Sequence, residues 1–263
     1  MNTPSTAQQT PAQLRALIRA GEFTGPTAGL CRGYVQANVV ILPAADADDF
    51  AEFCRLNPRP CPLIERTERG DYVPRSSADS ADLRTDAPRY RVFRQGMLQP
   101  DEPTSVADLW RPDLVGFLIG CSFTFENALM NAGLGVRHWE EGRNVPMYRT
   151  NIACQPAGKF AGPMVVSMRP YLPEVIEQVC EVTGRYPHMH GAPIHVDDPA
   201  EIGIGDLSRP DFGEAVTILP GEVPVFWACG VTPQLALAQA KPDLVITHSP
   251  GCMFVTDLRD DAI

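Results

Sequence analysis

Leu114-Val115-Gly116-Phe117-Leu118-Ile119-Gly120-Cys121-Ser122 is the stretch on which the fold turns. Its first seven residues offer no polar side chain for a solvent face. The run therefore reads as a strand buried on both sides, the kind found inside a parallel sheet. Two further runs share this form, Val223-Pro224-Val225-Phe226-Trp227-Ala228-Cys229-Gly230 and Asp243-Leu244-Val245-Ile246-Thr247-His248-Ser249. Helical patterns follow the first two, at Thr124 to Asn131 and Pro233 to Ala240. Open α/β sheets bind small molecules beyond the carboxyl ends of their strands. Cys121, Cys229 and His248 are expected together at that edge, in an enzyme or small-molecule binder.

Outward from these runs, Ala12 to Ala20 reads as a short amphipathic helix stopped by Gly21, and Tyr34 to Leu42 as a strand ended by Pro43. Ala47 to Leu56 is helical, with Phe50, Phe53 and Cys54 on one face, and Asn57-Pro58-Arg59-Pro60-Cys61-Pro62 cannot continue it. Glu65 to Ala87 is charged and turn-rich, and Tyr90 to Arg94 is a brief edge strand. In the middle, Pro163 to Pro170 reads as a strand, Leu172 to Thr183 as a helix and Ala192 to Val196 as strand-like. The expected organisation is an α/β chain. A three-layer domain with a mixed or parallel sheet is built from residues 1–141 and 221–263, and a smaller two-layer α+β domain is inserted at 142–220.

The chain has 263 residues, 44% hydrophobic and 21% charged, as in ordinary globular proteins. A net charge of −10 argues against nucleic acid or an anionic membrane as the main partner. A small anionic substrate stays compatible, because local arginines can outweigh the global sign, and self-association into a homo-oligomer is left open. No stretch approaches the roughly 20 apolar residues of a membrane span. Met1 to Thr10 lacks the basic and apolar regions of a signal peptide and reads as a frayed tail. Eight cysteines without a CxxC pair suit a reducing cytoplasm better than a disulfide framework or zinc site. The 26 prolines imply stiffened loops.

A cysteine just before a helix N-terminus can have its thiolate stabilised by the helix dipole, which would suit Cys121 and Cys229 as catalytic groups; packing alone has equal weight. Ser122 and Thr232 are candidate caps. Arg143 to Asn151 holds two arginines and two asparagines around Pro146, a pattern for a rigid recognition loop. Arg149 would clamp a carboxylate, with Arg84 in support, and Asn144 and Asn151 would orient substrate. His188, His190 and His195 could form a metal cluster, but a proton-transfer role for His190 or His195 is the stronger expectation, and no metal is assigned. Glu126, on the first turn after Cys121, is either an acid/base or a dipole-favoured carboxylate. Gly203 and Gly205 make no dinucleotide fingerprint, and neither a P-loop nor G-x-S-x-G occurs.

At these same segments the chain resembles the D-glutamate cyclase family, whose bacterial members are often labelled hydro-lyases. The matching stretches include Gly33 to Asn38, Asn57 to Pro62, Arg84-Thr85-Asp86 with Pro88-Arg89-Tyr90, Phe117 to Phe123 and Gly142 to Asn151. They continue through Gly162 to Pro170, His190-Gly191-Ala192-Pro193, Arg209 to Gly213 and Pro224 to Pro233. The resemblance runs from about Gly25 to Asp257 and implies a two-part α/β structure. It also implies a carbon–oxygen lyase that removes water from a small amino or carboxylic acid, with D-glutamate closing to 5-oxo-D-proline as the named case. The larger relative associated with that activity carries a further domain that this chain lacks. No cofactor is expected. His248 or His190 would move protons, and backbone N–H groups after Cys121 or Cys229 would stabilise an oxyanion. The alternatives are a non-catalytic small-acid binder and a metal-assisted hydrolase.

Overall fold

The computed structural model describes residues 9–261, so most of the frayed tail expected over Met1 to Thr10 lies outside the described residues, while Thr10 itself is the cap of the first helix. The protein has an α/β fold built on two sheets. Thr10 and Gln13 form a reciprocal capping box that starts α1 (Pro11–Arg19). The chain then enters β1 (Tyr34–Pro43), α2 (Ala44–Leu56), β2 (Leu63–Arg66), β3 (Tyr90–Arg94), β4 (Met97–Leu98) and β5 (Leu114–Gly120). After α3 (Phe123–Asn131) and α4 (Arg137–Glu140) come β6 (Met147–Ala153), β7 (Pro163–Tyr171), α5 (Ile176–Gly184), β8 (His195–Val196) and β9 (Val223–Ala228). The chain closes with α6 (Val231–Ala240), β10 (Leu244–His248) and β11 (Phe254–Arg259).

The first sheet runs β2-β5-β1-β10-β3-β4, with β11 also on β1. Every pairing in it is antiparallel, which corrects the expected strand direction. The long apolar runs have another cause. On one face, Val40, Leu42, Phe117 and Val245 pack against Phe50 and Phe53 of α2 and Ala236 and Leu237 of α6. On the other, Val39, Ile41, Leu118 and Ile246 are covered by irregular chain carrying Leu83, Ala87 and Val106. That irregular layer is pinned by Tyr90, whose hydroxyl donates to the Leu83 carbonyl at 2.8 Å and accepts from the Ala87 N–H at 3.0 Å. Two-sided burial removes the polar alternation whatever the strand direction. Helix α6 carries apolar side chains on two faces for the same reason, since Leu237 enters this core while Leu235 joins a cluster with Val165.

The second sheet runs β6-β7-β9-β8 and is also antiparallel. Val223–Ala228, grouped by its pattern with the first sheet, is instead an inner strand of the second. The small sheet therefore draws a strand from beyond residue 220. Val225 and Trp227 face Phe125 and Leu129 of α3 and Val179 of α5, while Phe226 faces Ile202 and Ile204. Burying side chains of this size contributes about 1.5–3 kcal/mol each. No helix among the described residues is long and apolar enough to cross a membrane.

Candidate functional site

A cavity of about 480 Å³ lies where the ends of the two sheets meet. Strand β1 sets its floor through Asn38, whose amide donates to the carbonyls of Gly120 at 2.9 Å and Ile119 at 3.3 Å. Those bonds tie Asn38 to the end of β5, and Cys121 follows there. Across the cavity, β9 ends at Ala228 and delivers Cys229. Gly230 must be glycine, because a Cβ there would stand 2.5 Å from the Asn38 amide nitrogen. Both sulfurs thus reach the same cavity from different sheets, with His248, His190, Arg149 and Asn144 also in its lining.

Neither thiol is activated. Burial pushes Cys121 up to about 12 and Cys229 up to about 11, outweighing the helix N–H groups of Phe123 and Val231 that act the other way. The expected caps differ too. Ser122 makes no capping bond and accepts from the Arg169 guanidinium at 3.1 Å, and the N-cap of α6 is Gly230. Thr232 accepts instead from the Val165 N–H at 2.9 Å.

The two histidines are held with opposite polarity. On β1, β10 pairs as far as Val40 and Ile41, and β11 takes over at Ala37. The Val39 N–H falls in the gap between them and donates to His248 Nδ1 at 3.1 Å. A backbone N–H needs a lone pair, so the His248 proton sits on Nε2. His190 Nδ1 lies 2.8 Å from the Arg59 carbonyl, which can only accept, so Nδ1 carries the proton and Nε2 keeps its lone pair. Burial holds both rings down to about 4, hence neutral at pH 7. Neither Nε2 has a hydrogen-bond partner among the described residues, and neither is sealed from the cavity. One wall presents a donor and the other an acceptor.

His190 is placed by contacts remote in sequence. It follows a 3-10 turn over Pro187–Met189 and adopts a left-handed backbone, φ 78°. A Cβ on Gly120 would lie 2.0 Å from the His188 carbonyl, so this glycine lets the turn lie against the end of β5. Arg59, from the proline-rich segment after α2, accepts the His190 proton on its carbonyl and donates its guanidinium to the carbonyls of Ala192 and His190.

Glu126 stands behind the cavity wall, outside the lining. Its carboxylate meets Arg169 and lies 3.3 Å from His138 Nε2, while the Trp139 indole donates to it at 2.7 Å. Burial opposes the charge, but His138 and Arg169 overcome this and hold Glu126 down to about 2. Arg169 is fully buried on β7, over the rings of Phe125 and Trp227, each centred 5.2 Å away. It also donates to Ser167 at 3.0 Å.

Arg84 is not at the cavity. Asp82 holds its guanidinium at 2.7 Å and the Tyr72 ring lies 3.4 Å beneath it. Asn151 is turned away as well, donating to the Glu201 carbonyl at 3.3 Å. Arg149 is half exposed at the mouth, 3.7 Å from Asp211. His195 Nε2 meets the Asp198 carbonyl at 2.7 Å, apart from His190. No group of three or more His, Cys, Asp or Glu side chains among the described residues is arranged so that it could hold a metal ion. Sequence reasoning missed Asn38, Arg59, Arg91, Arg169 and Gln234. Asn38 and Arg169 did carry a signal, a polar residue inside a largely apolar strand.

An α/β fold with a pocket lined by imidazoles, thiols and amides suits an enzyme acting on a small molecule, and comparison with known proteins supports a lyase-type enzyme. The chain belongs to the D-glutamate cyclase family, whose family model matches residues 115–257. Similar proteins carry the name "Putative hydro-lyase". One from Stutzerimonas stutzeri is 56% identical over 263 residues, covering 100% of this chain and 99% of that one. One from Rubrobacter xylanophilus is 61% identical, covering 95% and 96%, and one from Bacillus subtilis is 54% identical, covering 96% and 98%. A nitrogen repressor-like protein of Methanococcus jannaschii aligns over 94% of this chain and 97% of its own at 8% identity, with a TM-score of 0.38, too loose a likeness to carry an argument.

Proposed function

We propose that the protein is a hydro-lyase that removes water from a small carboxylic acid, using His190 as the base and His248 as a fixed hydrogen-bond donor. The observation that carries this reading is the pair of neutral imidazoles with opposite tautomers on one cavity. Loss of water needs a proton removed at one atom, negative charge stabilised at an oxygen, and a proton supplied to departing hydroxide. His190 Nε2 takes the first proton. His248 Nε2–H donates to the oxygen on which charge collects, as a neutral imidazole can do without being ionised. His190 then returns its proton to the hydroxide, which leaves as water, and both rings are reset.

The family name points to D-glutamate, whose closure to 5-oxo-D-proline releases water. In that case His190 frees the amine, nitrogen attacks the side-chain carboxyl, and His248 stabilises the oxyanion. Arg149 at the mouth and Asn144 hold the carboxylate. Orientation of the folded-back chain supplies part of the acceleration. Incubating the protein with a panel of small hydroxy and amino acids, D-glutamate included, tests the proposal by mass detection of water loss. Loss of turnover in both His190→Asn and His248→Phe, with folding intact, is the expected result. Thermal stabilisation by an acid with no product from any would establish a binding protein instead.

A further inference from the structure

We infer that Ser122 is a further catalytic residue, its hydroxyl donating to the oxygen that leaves as water, and that Arg169 positions it from behind the cavity wall. The inference rests on the hydro-lyase reading of the same site, with closure of D-glutamate as the case tested.

The polar side chains of the lining differ in how far the protein fixes them. Asn38 spends its amide nitrogen on the carbonyls of Gly120 and Ile119. Asn144 has its backbone N–H held by Glu214 at 3.1 Å, but its side-chain amide, like that of Gln234, makes no hydrogen bond among the described residues. An amide free to rotate can turn either a donor or an acceptor to a ligand. Ser122 has no such choice. It lies between β5 and α3, lines the cavity while itself buried, and makes no capping bond to that helix. Arg169 donates to its Oγ at 3.1 Å, and a guanidinium has no lone pair with which to accept in return. The Ser122 O–H therefore points elsewhere, and it donates to no group among the described residues. The cavity is what remains in front of it.

Arg169 is firmly held. Glu126 meets the same nitrogen that reaches Ser122, and Ser167 accepts from the other at 3.0 Å. A charged donor behind a hydroxyl draws electron density from it and strengthens the bond its own proton makes forward. His190 stands at the same end of β5. The turn that carries it lies against Gly120, and burial foremost, with the Arg169 charge after it, keeps the ring neutral. Donor Ser122 and base His190 are thus neighbours, whereas His248 approaches from β10, on the far side of β1.

This provides one donor for each oxygen of the reacting carboxyl, and both protons of the departing water come from nitrogen. His190 Nε2 takes one from the ammonium group and passes it to the oxygen beside Ser122. The freed amine attacks the carboxyl carbon, and the C=O electron pair moves to the oxygen held by His248. His190 takes the second proton from that nitrogen and passes it to the same departing oxygen. The C–O bond breaks, its electron pair leaves with the water, and C=O re-forms. Ser122 keeps its own proton throughout.

Ser122→Ala removes the donor without touching a helix cap and is expected to lower kcat on D-glutamate about a hundredfold. Ser122→Thr keeps a hydroxyl and is expected to restore most of that loss. Two unreactive probes read the contact without turnover. Glutarate presents both carboxyl oxygens, so Ser122→Ala is expected to weaken its binding about tenfold in calorimetry. 5-Oxo-D-proline has already lost the departing oxygen, so the same variant is expected to bind it within about twofold of the parent. Arg169→Lys is expected to lower kcat in the parent yet add little in the Ser122→Ala background, and a full further loss there would overturn the positioning by Arg169. Unchanged glutarate binding with kcat intact in Ser122→Ala would overturn the role of Ser122 and leave the hydro-lyase standing. Equal weakening of both probes would do the same, since a deformed cavity would then explain the loss. No water loss from any acid would remove both readings.

Discussion

The first sheet brings Cys121 and His248 to the cavity, and the second brings Cys229 and His190 on its flanking turn. The sulfurs are alike, each neutral and each at a strand-to-helix junction. The imidazoles are opposite. His248 is fixed by a strand N–H within a sheet, while His190 is fixed by the carbonyl of a proline-rich segment 131 residues away. Identical side chains, both neutral, acquire contrary roles from a single backbone atom each. The difference teaches that acid–base polarity here is a property of the fold and not of residue type. It can be broken one side at a time.

The largest effect is expected at the acceptor. His190→Asn removes the Nε2 lone pair and is expected to lower kcat by about a hundred- to ten-thousandfold, measured by water loss at saturating substrate with folding checked by circular dichroism. Next comes the charge pair that ties α3 to β7 of the second sheet. Glu126→Ala leaves Arg169 buried with no carboxylate and is expected to cost about 3–5 kcal/mol in urea unfolding. Replacing both residues with apolar ones of similar size is expected to recover most of that loss. If the single variant were as stable as the parent, the pair would not hold α3 on the second sheet.

At the donor, His248→Phe is expected to lower kcat about a hundred- to a thousandfold. Nitrogen-15 spectra of labelled imidazole test the polarity directly. The proton is expected on Nε2 in His248 and on Nδ1 in His190, and the same tautomer in both rings would sink the comparison.

Acid sharpens the contrast by acting on both rings. Each folded value, about 4, lies below the ordinary 6.5, so the unfolded chain binds more protons between those limits. The stability from keeping these rings neutral is complete above about pH 6.5 and is lost as pH falls through about 4. Glu126, depressed to about 2, adds a second loss only below the ordinary carboxylate range. Unfolding midpoints are thus expected to decline from pH 6.5 downward, and turnover to fall near pH 4, where His190 gains a proton. A turnover decline centred at 6.5 would show that the His190 ring is not desolvated.

Much of this was legible in the residues. The runs ending at Cys121, Cys229 and His248 announced their strands, and all three reach the cavity with Asn144, Arg149 and His190. Strand direction was not legible, because an apolar run reports two covered faces, and here loops and helices cover an antiparallel sheet. The membership of Val223–Ala228 was hidden for the same reason. Arg84 and Asn151 looked functional by type, but a neighbouring Asp82 and a backbone carbonyl of Glu201 occupy them. The Arg59–His190 bond left no mark in composition, since it joins a carbonyl to a ring across the chain.

The smallest effect is expected at the sulfurs, where the halves of the molecule agree. A thiolate nucleophile would need a depressed thiol, and burial has moved both the other way, to about 12 and about 11. At neutral pH each sulfur is therefore an S–H, a weak donor shaping the wall. Cys121→Ser and Cys229→Ser conserve that shape, and each is expected to change kcat/KM by less than about tenfold, far below the loss at His190. Labelling with iodoacetamide at pH 7.5, read by mass spectrometry, is expected to be slow at both positions compared with a free thiol. Rapid alkylation of one sulfur together with loss of turnover in its serine variant would show that one junction does hold a thiolate. The helix terminus beyond it would then matter more than the desolvation around it, and the symmetry of the two sulfurs would fail as the symmetry of the two imidazoles already does.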